Sequence, residues 1–78
     1  MKYYGWINLK KGSPKYIAVV KISDDFEAYS FNKITKEWIQ NDDYLDVEYD
    51  TTSWEEISED EALETIRELS GDESLTLE

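Results

Sequence analysis

Cysteine and histidine are both missing from this chain. Without cysteine there is no disulfide framework, no thiolate nucleophile and no thiolate-bound zinc. Without histidine, the commonest general base at neutral pH and the commonest transition-metal ligand are absent. Hydroxyls such as those of Ser13 and Ser53 therefore have no imidazole to activate them, and no lysine is spaced to substitute. Glycine occurs only at Gly5, Gly12 and Gly71, too scattered for a loop that cradles phosphate. No stretch approaches the roughly 20 apolar residues of a membrane span. The opening Met-Lys-Tyr-Tyr-Gly-Trp also lacks an apolar run long enough for a signal peptide. Together these absences argue against an enzyme and against a bound metal or cofactor, and they fit a reducing, cytoplasmic setting.

What is present suits a small packed domain. The chain has 78 residues, enough for one domain. Hydrophobic residues make up 40% and aromatic residues 14%, which favours a core over a disordered acidic tail. A chain this short buries about 60% of its unfolded surface, so its net stability is expected to be about 4–10 kcal/mol.

Charge is unevenly placed. Residues 1–36 hold seven lysines against Asp24, Asp25 and Glu27, a net +4; residues 37–78 hold Arg67 against sixteen acids, a net −15. The total of −11 disfavours nonspecific binding to nucleic acid or anionic lipid and steers a basic partner toward the second half.

The clearest local signal runs from Trp54 to Gly71. Ser58 and Glu61 have capping-box spacing, so hydroxyl and carboxylate can each accept from the other's backbone N–H. Ile57 precedes the cap and can staple onto Ala62. Glu59, Asp60 and Glu61 fill the first turn and Arg67 lies near the end, as the helix dipole prefers. Ala62, Leu63, Ile66 and Leu69 form one apolar stripe, and Gly71 suits a left-handed stop. A helix over residues 59–69 is expected. The Trp-x-x-Ile-Ser-x-x-Glu-Ala run resembles the last helix of many short bacterial and phage proteins, but it describes a capping box and transfers no activity.

Strands are expected over residues 3–9, 15–23, 26–32 and 37–39. In the first, Tyr3, Gly5, Ile7 and Leu9 share one face and Tyr4, Trp6 and Asn8 the other. In the second, Tyr16, Ala18, Val20 and Ile22 face one side, and Ile17, Val19 and Lys21 the other. Both faces are mostly apolar, which marks a central strand. Residues 10–14 read as a turn, with Pro14 confined to the start of the next strand or outside it. Asp42 or Asp43 can cap a single turn through Tyr44 and Leu45. Residues 46–50 alternate acids with Val47 and Tyr49, as an exposed strand with one wet face does. The expected fold is therefore α+β: an antiparallel meander of three or four strands with the C-terminal amphipathic helix on one face. Residues 1–71 form the domain, and residues 72–78 are a frayed acidic tail whose closing Leu77-Glu78 has the look of a cloning scar.

Four constellations bear on function. Asp46, Glu48 and Asp50 alternate like the first ligands of a calcium loop. Thr51 replaces the required glycine, however, and Ile57 stands where the closing glutamate belongs, so no metal site is assigned. Trp38, Tyr44, Tyr49 and Trp54 lie among acids, and such amphipathic rings are enriched at interface hot spots. They are the candidate partner-binding residues. Asp42, Asp43, Asp46, Glu48, Asp50, Glu55, Glu56, Glu59, Asp60, Glu64 and Glu68 offer an alternative, an acidic surface that mimics nucleic acid to inhibit a nucleic-acid-binding protein. The unpaired edge of the sheet can also join two copies into a homodimer. The leading expectation is a small noncatalytic acidic module that binds another protein, whose identity the sequence leaves open.

Overall fold

The computed structural model describes residues 1–8, 10, 15–50 and 52–77. Lys2–Ile7 (β1), Tyr16–Ile22 (β2), Ala28–Asn32 (β3), Glu37–Gln40 (β4) and Trp54–Ile57 (β5) form one antiparallel sheet in the order β4-β3-β2-β1-β5. Glu59–Ser70 is the C-terminal helix, α1. The fold is thus α+β with five strands, not a meander of three or four. The strand expected to be central, β2, is in the middle: adjacent Val19 and Val20 point to opposite faces and both are fully buried.

The fifth strand dictates the rest of the topology. β4 and β5 are opposite edges, about 19 Å apart at ordinary strand spacing. The chain must cross a face of the sheet to connect them. Asp42–Tyr49 makes that crossing as a 3₁₀ helix of eight residues, which spans about 16 Å at the usual rise. Its cap is Asn41, whose side chain accepts from the Asp43 N–H at 3.1 Å, rather than Asp42 or Asp43. Side chains three apart eclipse in such a helix. Tyr44 and Val47 therefore share a side, with Leu45 beside them, and pack on Tyr4, Val20, Ile22 and Ala28. The exposed strand expected over residues 46–50 does not form; its alternation was compatible with two periods, and burial of Val47 under the sheet selects the 3₁₀ form.

α1 covers the other face. The Ser58 hydroxyl accepts from the Glu61 N–H at 3.1 Å, and the Glu61 carboxylate accepts from the Ser58 N–H at 3.3 Å. Gly71, at φ 70°, ends the helix in the left-handed region. Ala62, Thr65 and Ile66 are buried, and Leu63 and Leu69 flank them. This stripe packs with Tyr3, Tyr16, Val19 and Ile57. Thr65 is accommodated because its hydroxyl donates to the Glu61 carbonyl at 2.7 Å. Beyond Gly71, Leu75 and Leu77 pack against the same core, and the Arg67 Nε–H donates to the Leu75 carbonyl at 2.9 Å.

Two further local expectations are corrected. Tyr16 does not share a face with Ala18, Val20 and Ile22. Trp6 pairs with Ala18 while Ile7 pairs with Tyr16, so Ile17 is an extra residue that shifts Tyr16 onto the helix side with Val19. Phe26 is not in a strand: at φ 60° it closes the turn between β2 and β3 and is 74% exposed. The turn expected over residues 10–14 lies, apart from Lys10, outside the described residues, as does Leu9. Among the described residues, no helix is long and apolar enough to cross a membrane.

Candidate functional site

Three of the four aromatic residues singled out from the sequence converge on the 3₁₀ side of the sheet. Trp54, the first residue of β5, meets Tyr44 edge-on at a centroid distance of 5.9 Å. Tyr49, at the end of the 3₁₀ helix, lines a shallow depression of about 370 Å³ together with Trp54, Tyr4, Val47, Glu48, Glu56 and Lys2. Tyr49 is 80% exposed, so its ring is offered to solvent rather than spent on the core.

The structure adds Trp6, which had no assigned role. It is the cross-strand partner of Trp54, with ring centroids 5.4 Å apart and planes tilted by 31°. Trp6 is 43% exposed, unusually open for so large a ring. The only sequence signal for it is its place on the same face of β1 as Tyr4. Its partnership with Trp54 becomes visible once residues 54–57 are known to be a strand.

Trp38 is elsewhere. On β4 it faces the helix side, edge-on to Phe31 at 5.4 Å, with the Lys21 ammonium 4.4 Å above its ring. The same ammonium lies 5.5 Å from the Tyr29 ring, and burial lowers the Lys21 pKa. Trp38 therefore belongs to a partly buried cation–π stack and is remote from the Trp6–Trp54 patch.

The electrostatics of the patch are acidic. Glu48 and Glu56 border the depression, and Lys2 is the cation on its rim. Burial, followed by the charges of Glu56 and Glu48, pushes the Tyr4 phenol above its ordinary pKa. Aromatic faces beside carboxylates suit an ammonium or guanidinium group, which gains from both.

The acids proposed for nucleic-acid mimicry are divided between two faces. Asp42, Asp43, Asp46, Glu48 and Asp50 lie on or next to the 3₁₀ helix, whereas Glu59, Asp60, Glu64 and Glu68 belong to α1 on the opposite side of the sheet. Glu55 and Glu56 point to opposite faces of β5, Glu55 accepting from the Tyr16 hydroxyl at 2.6 Å. Among the described residues, no group of three or more acids is gathered as metal ligands would be. The chain matches no family model, no curated protein and no solved structure.

Proposed function

We propose that this chain is a noncatalytic protein-interaction module whose contact surface is Trp6, Tyr44, Tyr49 and Trp54, and whose partner presents basic side chains. One observation carries the reading: rings from three separate elements gather on one face, with Tyr49 largely open and Trp6 43% exposed. Exposing such rings forgoes burial of about 1.5–3 kcal/mol each. A partner that covers them recovers that burial. Glu48 and Glu56, together with the −15 carried by residues 37–78, set the sign of the partner.

The test is retention of interacting proteins from the source cell on the wild-type chain and on Trp6→Ala and Tyr49→Ala, side by side. A basic partner retained by the wild type and lost from both variants supports the reading. Hot-spot truncation of this kind costs about 2–4 kcal/mol of binding, more than tenfold in affinity. Equal retention by all three chains would exclude the patch as the contact surface.

A second reading, an acidic inhibitor that mimics nucleic acid, draws on Asp60, Glu64 and Glu68. Spaced four apart on α1, they form one row of carboxylates along the helix. Its signature is different: binding to a nucleic-acid-binding protein that falls steeply with salt, is competed by nucleic acid, and survives Trp6→Ala.

A further inference from the structure

The two open edges of the sheet are not equivalent. β5 carries Glu55 and Glu56 at its middle. A two-fold pairing of β5 with itself, centred on either residue, sets two like carboxylates directly opposite, which disfavours it. β4 reads Glu37-Trp38-Ile39-Gln40 and has no such block. The Asn41 N–H donates to the Ala28 carbonyl at 2.8 Å. By strand alternation, the Ile39 and Glu37 amides face β3, while those of Trp38 and Gln40 face outward, with no neighbouring strand among the described residues. Ile39 is 47% exposed, and it borders a shallow depression with Ile17, Ile34, Phe31 and Leu69.

We propose that β4 pairs with β4 of a second copy, extending the sheet across a two-fold axis at Ile39. Antiparallel partners must share a face of the sheet, so residues pair when their numbers add to an even total. Centring on Ile39 sets Trp38 opposite Gln40 of the second copy and Glu37 opposite its Asn41. It also brings Lys36 toward the second copy's Asp42, an attractive pair. No like charges meet along the strand. The outward amides and carbonyls of Trp38 and Gln40 are then satisfied in reciprocal pairs, and the two Ile39 side chains meet on the axis. Because each chain carries −11, long-range repulsion opposes the assembly at low salt. Salt screens that repulsion, so the dimer strengthens as salt rises. This is opposite to the behaviour expected for a basic partner on the aromatic patch, so the two proposals stand or fall separately.

Sedimentation of the purified chain over a range of concentrations tests the assembly, with low and high salt compared. A dimer that tightens with salt is expected. Ile39→Lys sets two ammonium groups against each other on the axis and is expected to weaken the dimer at least tenfold, with circular dichroism confirming the fold. Ile39→Cys gives an independent reading in a chain with no native cysteine. Non-hydrogen-bonded pairs have Cα atoms about 4.5 Å apart, within disulfide range, so mild oxidation is expected to link two chains through residue 39. Thr52→Cys, exposed beside β5 with Glu55 and Glu56 both intact, is expected to remain unlinked. A chain that stays monomeric at every concentration and salt, a dimer indifferent to Ile39→Lys, or equal cross-linking of the two cysteine variants would each overturn the proposal.

Discussion

Tyr16 reaches across Gly5 to Glu55. Its ring lies on the glycine backbone and its hydroxyl donates to the Glu55 carboxylate at 2.6 Å. Gly5 sits on β1 between Val19 of β2 and Glu55 of β5, so the ring bridges three strands. A methyl carbon added at Gly5 would lie 2.6 Å from two carbons of that ring. The ring cannot yield freely, because it is buried in the core and held at its far end by Glu55. Gly5→Ala is therefore expected to destabilise the fold by about 1–3 kcal/mol, as overpacking does. A thermal melt that leaves the midpoint unchanged would show that the Tyr16 ring is not seated there.

The same tyrosine governs the alkaline limit of stability. Burial first, then the hydrogen bond to Glu55, raises the Tyr16 pKa above 10.0; burial likewise raises Tyr3 and Tyr4. Below pH 10 both folded and unfolded chains keep these protons, so the stabilisation is fully present. Above it the unfolded chain releases protons first, and stability falls until the folded phenols also ionise. Lys21, lowered by burial, acts in the opposite sense between its own pKa and 10.5, but it is one group against five, since Tyr29 and Lys15 are raised as well. Melting temperature is expected to drop as pH climbs beyond 10. Tyr16→Phe is expected to cost about 1 kcal/mol at neutral pH and to flatten that drop. An equally steep drop in the variant would assign the alkaline transition to other groups.

Ile66 is the largest side chain that α1 buries completely. It meets Tyr3, Val19 and Ile57 from β1, β2 and β5. Truncation there leaves a cavity that the surrounding strands cannot collapse into, so Ile66→Ala is expected to cost about 2–5 kcal/mol. Ser58→Ala removes one side of the capping box and is expected to cost about 0.5–2 kcal/mol. Denaturant midpoints of the two variants, compared with the wild type, check both values and their order.

These helix residues were readable in advance because capping and amphipathic spacing are local. Ser58, Glu61, Ala62, Ile66 and Gly71 carry their instructions within a few positions of each other. The sheet was legible where alternation was uninterrupted, as in β1 and the end of β2. It failed at Ile17, because a bulge depends on how β2 is paired with β1. β5 was missed for a related reason: four residues with two acids at the centre resemble a linker until β1, some fifty positions earlier, supplies their hydrogen bonds. Without β5, Trp6 has no partner and the need for a crossing segment is invisible. The aromatic patch was therefore only partly legible. Tyr44, Tyr49 and Trp54 were near one another in sequence, but Trp6 was not, and Trp38 turned to the far side through the register of β4.

Asp72 ties the segment after α1 to the β3–β4 turn. Its carboxylate accepts from the Ser74 hydroxyl at 2.5 Å and the Ser74 N–H at 3.0 Å, and pairs with the Lys36 ammonium at 3.2 Å. Those bonds, with Ser74 the largest contributor and Lys36 next, lower its pKa from 3.8 to about 2. A depressed carboxylate stabilises the folded chain above its ordinary pKa, and that contribution fades as pH falls from about 4 toward 2. The carboxylate sits at the surface with 27% of its side chain exposed, so the effect is a local tether rather than a determinant of global stability. Carbon-detected NMR titration of Asp72 is expected to show a midpoint near 2. Ser74→Ala removes the hydroxyl and is expected to move the midpoint back toward 3.8, whereas Lys36→Ala moves it less. A wild-type midpoint at the ordinary value would mean that residues 72–77 are not held against the body of the protein.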